Sequence, residues 1–185
     1  MNKAGLRKES RNRKKQLTVE EQKNAEIAVL EKLESCKEFQ AAKRILAYYS
    51  LPDELQTNLL LNKWNKDKEI FLPRVNGDFL DIAKFEPDST VEGAFSIQEP
   101  TGNDLTTVDT IDLIIIPAVG YDCKGNRLGR GKGYYDRLLK DAKCPKIGII
   151  YSCQLFDEVP TEQHDIPVDI IITEKEIITQ KIITL

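Results

Sequence analysis

Hydrophobic and polar positions follow helical spacing at the start of this chain and give way to short apolar runs further along. From Lys3 to Gln16 the cations Lys3, Arg7, Arg11 and Lys14 stand three or four positions apart. Side chains at that spacing lie on one face of an α-helix. The pattern therefore predicts a first helix with a basic face.

A second helix is expected to begin after Thr18. The residues from Thr18 to Glu21 resemble a capping box, in which a Thr and a Glu satisfy each other's backbone N–H groups. Ile27, Leu30 and Leu33 follow at helical spacing and are expected to face the core. Two further helices are predicted over residues 55–65 and from about residue 134 to about residue 142.

Short apolar runs predict the strands, at residues 44–50, 69–72, 79–85, 111–116, 146–151 and 168–172. The run from Ile111 to Ile116 is almost continuously β-branched or Leu, which suits a parallel strand covered on both faces. Strands and helices in alternation predict an α/β fold. We expect a three-layer α/β/α single domain over residues 1–185, with a mostly parallel sheet and helices on both faces. Residues 87–107 form a long connection, which is a candidate functional segment.

The segment after the buried strand carries the strongest chemical signal. Gly129, Gly131 and Gly133 alternate with Arg130 and Lys132. Glycine lets backbone N–H groups approach a ligand closely, and successive N–H groups form a concave nest for phosphate oxygens. The two cations supply the opposite charge, and a helix that begins just after them would favour the same anion. The pattern therefore predicts an anion-binding loop.

This loop differs from the two commonest glycine-rich phosphate motifs. No Ser or Thr follows Lys132, as a Walker-type loop requires to hold magnesium. A dinucleotide fingerprint begins directly after a strand, whereas about a dozen residues separate Ile116 from Gly129 here.

Composition narrows the class of protein without identifying it. The net charge of the 185 residues is −3, although the first fifteen residues carry seven Lys or Arg and one Glu. Such a small total gives no global field that would recruit nucleic acid or an anionic membrane. No apolar stretch has the length of a membrane span, and the basic start lacks the apolar core of a signal peptide. We expect a cytoplasmic, monomeric enzyme with a small-molecule substrate and no nucleic-acid or membrane partner.

The cysteines and the histidine offer little catalytic chemistry. Cys36, Cys123, Cys144 and Cys153 lack the paired spacing of a zinc site. His164 is the only histidine, so a Ser-His-Asp or Cys-His mechanism would depend on it alone.

The segment from Asp122 to Asp136 resembles the signature of the 5-formyltetrahydrofolate cyclo-ligase family, and the match is nearly gapless. Weaker similarity extends along the chain and includes Tyr48–Glu54, Phe71–Arg74, Ile97–Pro100 and Val168–Asp169. The resemblance implies an enzyme that uses ATP and Mg²⁺ to close 5-formyltetrahydrofolate, with or without a polyglutamate tail, into 5,10-methenyltetrahydrofolate. Its other products would be ADP and phosphate.

The resemblance also implies roles for individual residues. The nucleotide would be bound by Lys3, Arg7, Arg127, Leu128, Gly129, Arg130, Gly131, Lys132, Gly133, Tyr134 and Tyr135. Within this set Arg130, Lys132 and Tyr134 would be catalytic, and the residues from Arg130 to Tyr134 would also contact the formyl end of the folate. Asp136 and Asp169 match the magnesium positions, and two carboxylates are chemically sufficient for that ion.

For the folate, the resemblance implies contacts from Tyr49, Glu54 and Phe95. The Glu54 carboxylate would accept paired hydrogen bonds from the donor edge of the pterin ring. Phe95 stands where other members carry Trp, so its ring would still stack while the indole N–H is lost. Tyr134 and Tyr135 would either close over the site or belong to the core.

Two alternatives stay open from sequence alone. The same layout fits a sugar-phosphate isomerase or a phosphate-ligand-binding α/β protein without ATP turnover. The basic first helix would also fit an RNA-binding arm, although the acidic remainder of the chain and the lack of an aromatic-basic RNA motif argue against it.

Overall fold

The structure is a computed structural model, and it describes residues 1–87, 90–93 and 98–180. Its helices are α1 (Lys3–Lys14), α2 (Val19–Ser35), α3 (Lys37–Ala41), α4 (Asn58–Trp64) and α5 (Tyr134–Leu139). Its strands are β1 (Arg44–Leu46), β2 (Glu69–Asn76), β3 (Phe79–Lys84), β4 (Thr90–Glu92), β5 (Gln98–Pro100), β6 (Leu105–Thr106), β7 (Leu113–Ile116), β8 (Gly120–Asp122), β9 (Arg127–Leu128), β10 (Lys146–Ile149), β11 (Leu155–Phe156), β12 (Ile170–Ile172) and β13 (Ile177–Thr179).

An eight-stranded sheet in the order β13-β12-β10-β7-β1-β2-β3-β6 forms the centre of the molecule. The five adjacent strands β12, β10, β7, β1 and β2 run parallel to one another. Antiparallel strands flank this group: β13 lies beside β12, and β3 followed by β6 lies beside β2. The register places Ile45 opposite Leu113 and Ile70, and Ile147 opposite Ile115. The predicted α/β fold with a mostly parallel sheet is confirmed.

Each face of the sheet has its own apolar core because side chains alternate along every strand. On one face the strands pack against α2, α3 and α4 through Val29, Leu33, Phe39, Leu61 and Trp64. On the other face they pack against Leu139 of α5 and against Tyr121. Burial of a large apolar side chain contributes about 1.5–3 kcal/mol, so two covered faces explain why the β7 run is uniformly apolar. Helices therefore flank both faces, as predicted.

The second helix begins as its sequence predicts but buries a different stripe. Thr18 Oγ1 accepts from the N–H of Glu21, and the Glu21 carboxylate accepts from the N–H of Thr18. The buried positions are Ala25, Val29 and Leu33, which recur every fourth residue. The prediction that Ile27 faces the core is wrong, since its side chain is 57% exposed. Ile27 lies two residues after Ala25 and two before Val29, and residues two apart point to nearly opposite sides of a helix.

Several predicted elements are shorter in the structure. The first strand ends at Leu46 rather than at residue 50, and the helix predicted over residues 55–65 begins at Asn58. Beyond β1 the Ser50 side chain and backbone bond to the Asn58 side chain, so this stretch is a loop rather than a strand. Within the described ranges, no helix combines the length and the apolar character that a membrane span requires.

Candidate active site

A cavity of about 550 Å³ lies where β1, β2 and β7 end and α5 begins. Ligands of open α/β sheets bind at the carboxyl ends of the strands, so the position is the one that topology favours. Among its lining residues are Lys3, Arg7, Tyr49, Glu54, Arg127, Gly129, Arg130, Gly131, Lys132, Gly133, Tyr134, Tyr135 and Asp136. The structure therefore brings together most of the side chains that the sequence nominated.

Two of the nominated residues that the structure describes, Leu128 and Asp169, do not line the cavity. Leu128 is fully buried beneath the loop, where it packs with Leu6. Asp169 accepts a hydrogen bond from the N–H of Lys146 at 2.8 Å. Lys146 and Asp169 lie at the amino ends of the parallel strands β10 and β12, whereas Asp136 lines the cavity at the carboxyl ends of the strands. The two aspartates are therefore at opposite ends of the strands. Phe95 lies outside the described residues.

The glycine loop is presented by a small hairpin that the sequence did not predict. β8 and β9 pair antiparallel, and β8 also pairs with β11. The carboxylate of Asp122 is fully buried at the hairpin turn. It accepts hydrogen bonds from the N–H groups of Lys124 and Asn126, from the Asn126 side-chain amide and from the N–H of Val159. Asp122 therefore fixes the turn and joins it to the segment after β11.

Two positions in the loop require glycine for its backbone freedom. Gly131 has φ +101° and Gly133 has φ +69°, in the region that residues with a Cβ rarely adopt. A Cβ on Gly131 would lie 3.3 Å from Nη2 of Arg7, and one on Gly133 would lie 2.9 Å from Nη1 of Arg137. The loop therefore combines a strained path with close approach by two guanidinium groups.

The first helix docks against this loop. Arg7 donates from Nε to the carbonyl oxygen of Gly129 at 2.8 Å, and Ser10 donates to the carbonyl oxygen of Val119. Lys3 lines the cavity and pairs with Asp165 at 2.7 Å. Of the four cations on the predicted basic face of α1, Lys3 and Arg7 thus line the cavity.

Arg130 is held by two carboxylates on the loop that follows β1. Its Nη2 lies 2.6 Å from Oδ1 of Asp53 and 2.9 Å from Oε1 of Glu54, and its Nε lies 3.1 Å from the same Glu54 oxygen. The other Glu54 oxygen accepts from the N–H of Leu51 at 3.0 Å. Burial alone would raise the pKa of Asp53, but the hydrogen bond and the charge of Arg130 outweigh it, so the pKa is lowered. These two carboxylates orient the guanidinium.

A second guanidinium is almost completely enclosed. Arg127 donates from Nη2 to both oxygens of Asp136, at 3.1 and 3.2 Å, and its side chain is only 7% exposed. Its Cζ also lies 5.4 Å from the centre of the Tyr135 ring. Arg127 Nε is the only buried side-chain nitrogen or oxygen in the described ranges without a hydrogen-bond partner. Burial raises the pKa of Tyr135 well above its ordinary value, so its hydroxyl stays neutral.

The β2–β3 turn closes one side of the cavity. Tyr134 donates from its hydroxyl to the carbonyl oxygen of Gly77 at 3.3 Å, and Arg137 donates to that of Asp78 at 2.7 Å. Val75 and Leu80, on the strands that flank this turn, line the cavity with apolar surface. An apolar wall facing a cationic loop suits a ligand with a flat ring at one end and phosphate at the other.

The sequence analysis nominated none of the four further lining residues with an acidic or imidazole side chain, which are Glu99, Glu162, His164 and Asp165. The last three belong to a polar stretch before β12, which carries no motif beyond the single histidine. Glu99 belongs to the segment Ile97–Pro100, whose similarity to the family implies no role for the carboxylate.

Fold and cavity together define an α/β protein whose cavity, at the carboxyl ends of the strands, is lined by a glycine-rich loop and by cations. A model of the 5-formyltetrahydrofolate cyclo-ligase family matches residues 1–174. A 5-formyltetrahydrofolate cyclo-ligase from Haemophilus influenzae is 32% identical over 88% of this chain and 92% of its own length. The mouse 5-formyltetrahydrofolate cyclo-ligase is 29% identical over 93% of each chain.

Two solved structures of 5,10-methenyltetrahydrofolate synthetases also match this chain. The 5,10-methenyltetrahydrofolate synthetase of Aquifex aeolicus matches with a TM-score of 0.89 and 36% identity, over 98% of this chain and 94% of that one. The synthetase of Mycoplasma pneumoniae matches with a TM-score of 0.76 and 26% identity, over 94% of this chain and 99% of that one. The chain belongs to the 5-formyltetrahydrofolate cyclo-ligase family, a family of ATP-dependent ligases. The isomerase alternative is thereby set aside.

Proposed function

We propose that this chain closes 5-formyltetrahydrofolate into 5,10-methenyltetrahydrofolate inside the cavity described above, with ATP converted to ADP and phosphate. One observation supports the location most strongly. Cations from α1 and from the glycine loop line the same cavity as Tyr49 and Glu54, which come from the loop after β1. The substrate is proposed to be the folate with or without its polyglutamate tail, acted on by a cytoplasmic monomer.

Ring closure needs an activated formyl group, because an oxide or hydroxide ion is a poor leaving group. In the proposed first step the formyl oxygen attacks the γ-phosphorus of ATP, and the bond from that phosphorus to the bridging oxygen breaks to release ADP. The product is an iminium phosphate with an electrophilic carbon. N10 then attacks that carbon, the carbon–oxygen bond breaks, and phosphate leaves and takes up the N10 proton.

Phosphoryl transfer depends mainly on positioning and on neutralising charge, which this cavity provides. Arg130 and Lys132 are proposed to stabilise the charge on the transferring group, with Tyr134 beside them at the start of α5. The backbone N–H groups of the loop around Gly131 would contact phosphate oxygens. Lys3 and Arg7 are proposed to bind the nucleotide from the other side.

The two aspartates nominated for magnesium, Asp136 and Asp169, do not lie together. Asp136 lines the cavity but already accepts two hydrogen bonds from Arg127 Nη2, and Asp169 lies at the amino ends of the parallel strands, away from the cavity. Nor do the described ranges contain any group of three or more His, Cys, Asp or Glu residues placed to hold a metal. The pair therefore does not form a magnesium site in this fold, and no step is assigned to the ion.

The test is turnover by the purified protein with ATP, magnesium and 5-formyltetrahydrofolate. We expect the absorbance of the methenyl product to rise, with one ADP formed for each folate consumed. Lys132→Ala should abolish most of this rise, whereas Lys124→Ala, at the exposed hairpin turn, should match the wild type. Release of ADP without methenyl product, or product formation without ATP, would contradict the proposal.

A further inference from the structure

Lys14, the last residue of α1, joins this helix to the loop that follows β1, residues 47–57. Its Nζ donates a hydrogen bond to the backbone carbonyl oxygen of Asp53 and lies 3.9 Å from Oδ2 of the same residue. Within the described ranges, no other side chain of α1 forms a hydrogen bond or an ion pair with this loop. The polar link between α1 and the loop is therefore made by this one ammonium group.

The carboxylate of Asp53 bridges two cations through its two oxygens. Oδ1 lies 2.6 Å from Nη2 of Arg130, and Oδ2 is the oxygen nearest to Lys14. Burial alone would raise the pKa of Asp53, but the hydrogen bond and charge of Arg130 and the charge of Lys14 together lower it. Lys14, Asp53 and Arg130 thus form a chain of alternating charges that runs from α1 to the glycine loop.

The ammonium of Lys14 is held in an enclosed, cationic setting. Its side chain is 15% exposed, and it lines a small cavity of about 120 Å³ together with Arg7, Arg11 and Arg130. Burial lowers the pKa of Lys14, and the opposing charge of Asp53 does not make up the difference. A lysine near the surface normally extends its ammonium into water. The enclosed position therefore indicates a task for this charge.

The two carboxylates that hold Arg130 differ in their access to a substrate. Glu54 lines the large cavity of the candidate site, whereas Asp53 does not. The family resemblance implies that Glu54 accepts hydrogen bonds from the folate, yet one of its oxygens is on Arg130 and the other on the N–H of Leu51. A bound folate would therefore compete with Arg130 for Glu54. Asp53 is the partner that would continue to hold the guanidinium.

We infer that Lys14 is a positioning residue for phosphoryl transfer. Lys14 holds Asp53, and Asp53 holds Arg130 beside the transferring group while the folate occupies Glu54. Neither Lys14 nor Asp53 lines the large cavity, so both act on the reaction through Arg130. This inference rests on the proposed function, because it needs Arg130 to act on a phosphoryl group there.

The first test removes the charge of Lys14 and keeps most of its buried stem. Lys14→Met should lower kcat about tenfold, less than the loss of about 100-fold expected without Arg130, because a misplaced donor keeps part of its effect. The KM values for ATP and for 5-formyltetrahydrofolate should stay within about threefold. Lys14→Arg should restore kcat to within about threefold of the wild type, since the small cavity leaves room for a guanidinium. Lys15→Met, exposed at the end of the same helix, is the matched control and should behave as the wild type.

A double-mutant cycle separates positioning from a merely structural role. In the Arg130→Ala background, Lys14→Met should change kcat by less than about twofold, because no guanidinium remains to be positioned. Asp53→Asn should lower kcat at least as much as Lys14→Met, and combining these two substitutions should add no further loss. Thermal melting of each variant verifies that the protein is folded.

The outcomes separate this inference from the proposed function. If the wild type is active, a normal kcat in Lys14→Met, or a loss of the same size in the Arg130→Ala background, would show that the inference is wrong and leave the function standing. A raised KM for ATP with normal kcat would mean that Lys14 only docks α1, from which Lys3 and Arg7 reach the large cavity, and would also overturn the inference. If the wild type does not turn over the folate, the proposed function fails and the inference fails with it.

Discussion

Arg7 in the first helix donates a hydrogen bond from Nε to the carbonyl oxygen of Gly129, 122 residues later in the chain, at a distance of 2.8 Å. This contact ties α1 to the loop that carries Arg130 and Lys132. The guanidinium also lies close above Gly131, where a Cβ would come within 3.3 Å of its Nη2. This side of the cavity is therefore assembled from two segments that lie far apart in the sequence.

The N-terminal helix is expected to act on ATP rather than on folate. Deletion of residues 1–8 removes Lys3 and Arg7 and should raise the KM for ATP by at least about tenfold, with a smaller change for folate, since charged hydrogen bonds to phosphate are lost. Steady-state kinetics with each substrate varied in turn measures both constants. Arg7→Ala should reproduce the effect and Lys8→Ala, on the exposed side of α1, should not. An unchanged KM for ATP would leave α1 with a structural role only.

Arg130 and Lys132 are expected to act on the transition state. Arg130→Ala and Lys132→Ala should each lower kcat by about 100-fold or more, the range found when one preorganised donor is removed from a developing charge. Circular dichroism and thermal melting should match the wild type, because Arg130 is exposed and Gly131 sets the loop path. Near-normal kcat in both variants would remove these residues from the phosphoryl step.

Asp122 is expected to support the fold rather than the chemistry. Asp122→Ala leaves the donors around the hairpin turn unsatisfied in a fully buried position, so the free energy of unfolding should fall by about 2–4 kcal/mol. Urea unfolding followed by fluorescence measures this change. Asp157→Ala, an exposed carboxylate nearby in sequence, should cost little. A stability equal to the wild type would show that the turn holds without the carboxylate.

The ion pair between Lys3 and Asp165 predicts a specific pH dependence. Burial alone would raise the pKa of Asp165, but hydrogen bonds from Lys3 and from the N–H of Glu162 lower it below its ordinary value. A lowered pKa in the folded state means that the stabilisation is present above the ordinary Asp range and is lost as pH falls.

Melting temperatures of the wild type and of Asp165→Asn test that dependence. The wild type should melt about 1–3 °C higher at pH 6–7, and this difference should shrink as the pH falls below about 4. A difference that stays constant down to pH 3 would contradict an electrostatic origin. Glu158→Asn, an exposed carboxylate before the same stretch, serves as the control.

The parts of the fold that the sequence predicted are those with long, regular signals. The apolar run that ends at Ile116 identified the buried β7, and Thr18 with Glu21 identified the start of α2. The hairpin of β8 and β9 was not predicted because strands of two or three residues carry no measurable period. The prediction for Ile27 was wrong because α2 carries apolar residues on more than one face, and the sequence does not show which of these faces packs against the sheet.

In the candidate site, too, local sequence patterns were predictive and long-range contacts were not. The glycine and cation pattern located the loop, yet nothing in the sequence revealed that Arg130 pairs with Asp53 and Glu54, since that contact spans 77 and 76 residues. Asp169 was nominated by local similarity, which does not specify whether a residue lies at the amino or the carboxyl ends of the parallel strands. Glu99 gave no signal of its own, because burial beside Val75 follows from the packing of β5 on β2.

The docking of α1 has a consequence for how the molecule acquires its activity during synthesis. A helix of twelve residues is marginal in water by itself, and here the surface that supports it is the loop and hairpin more than a hundred residues downstream. A nascent chain that lacks the downstream half also lacks the surface against which α1 packs. Lys3 and Arg7 can therefore take up their positions in the cavity only after the hairpin and the glycine loop have been synthesised.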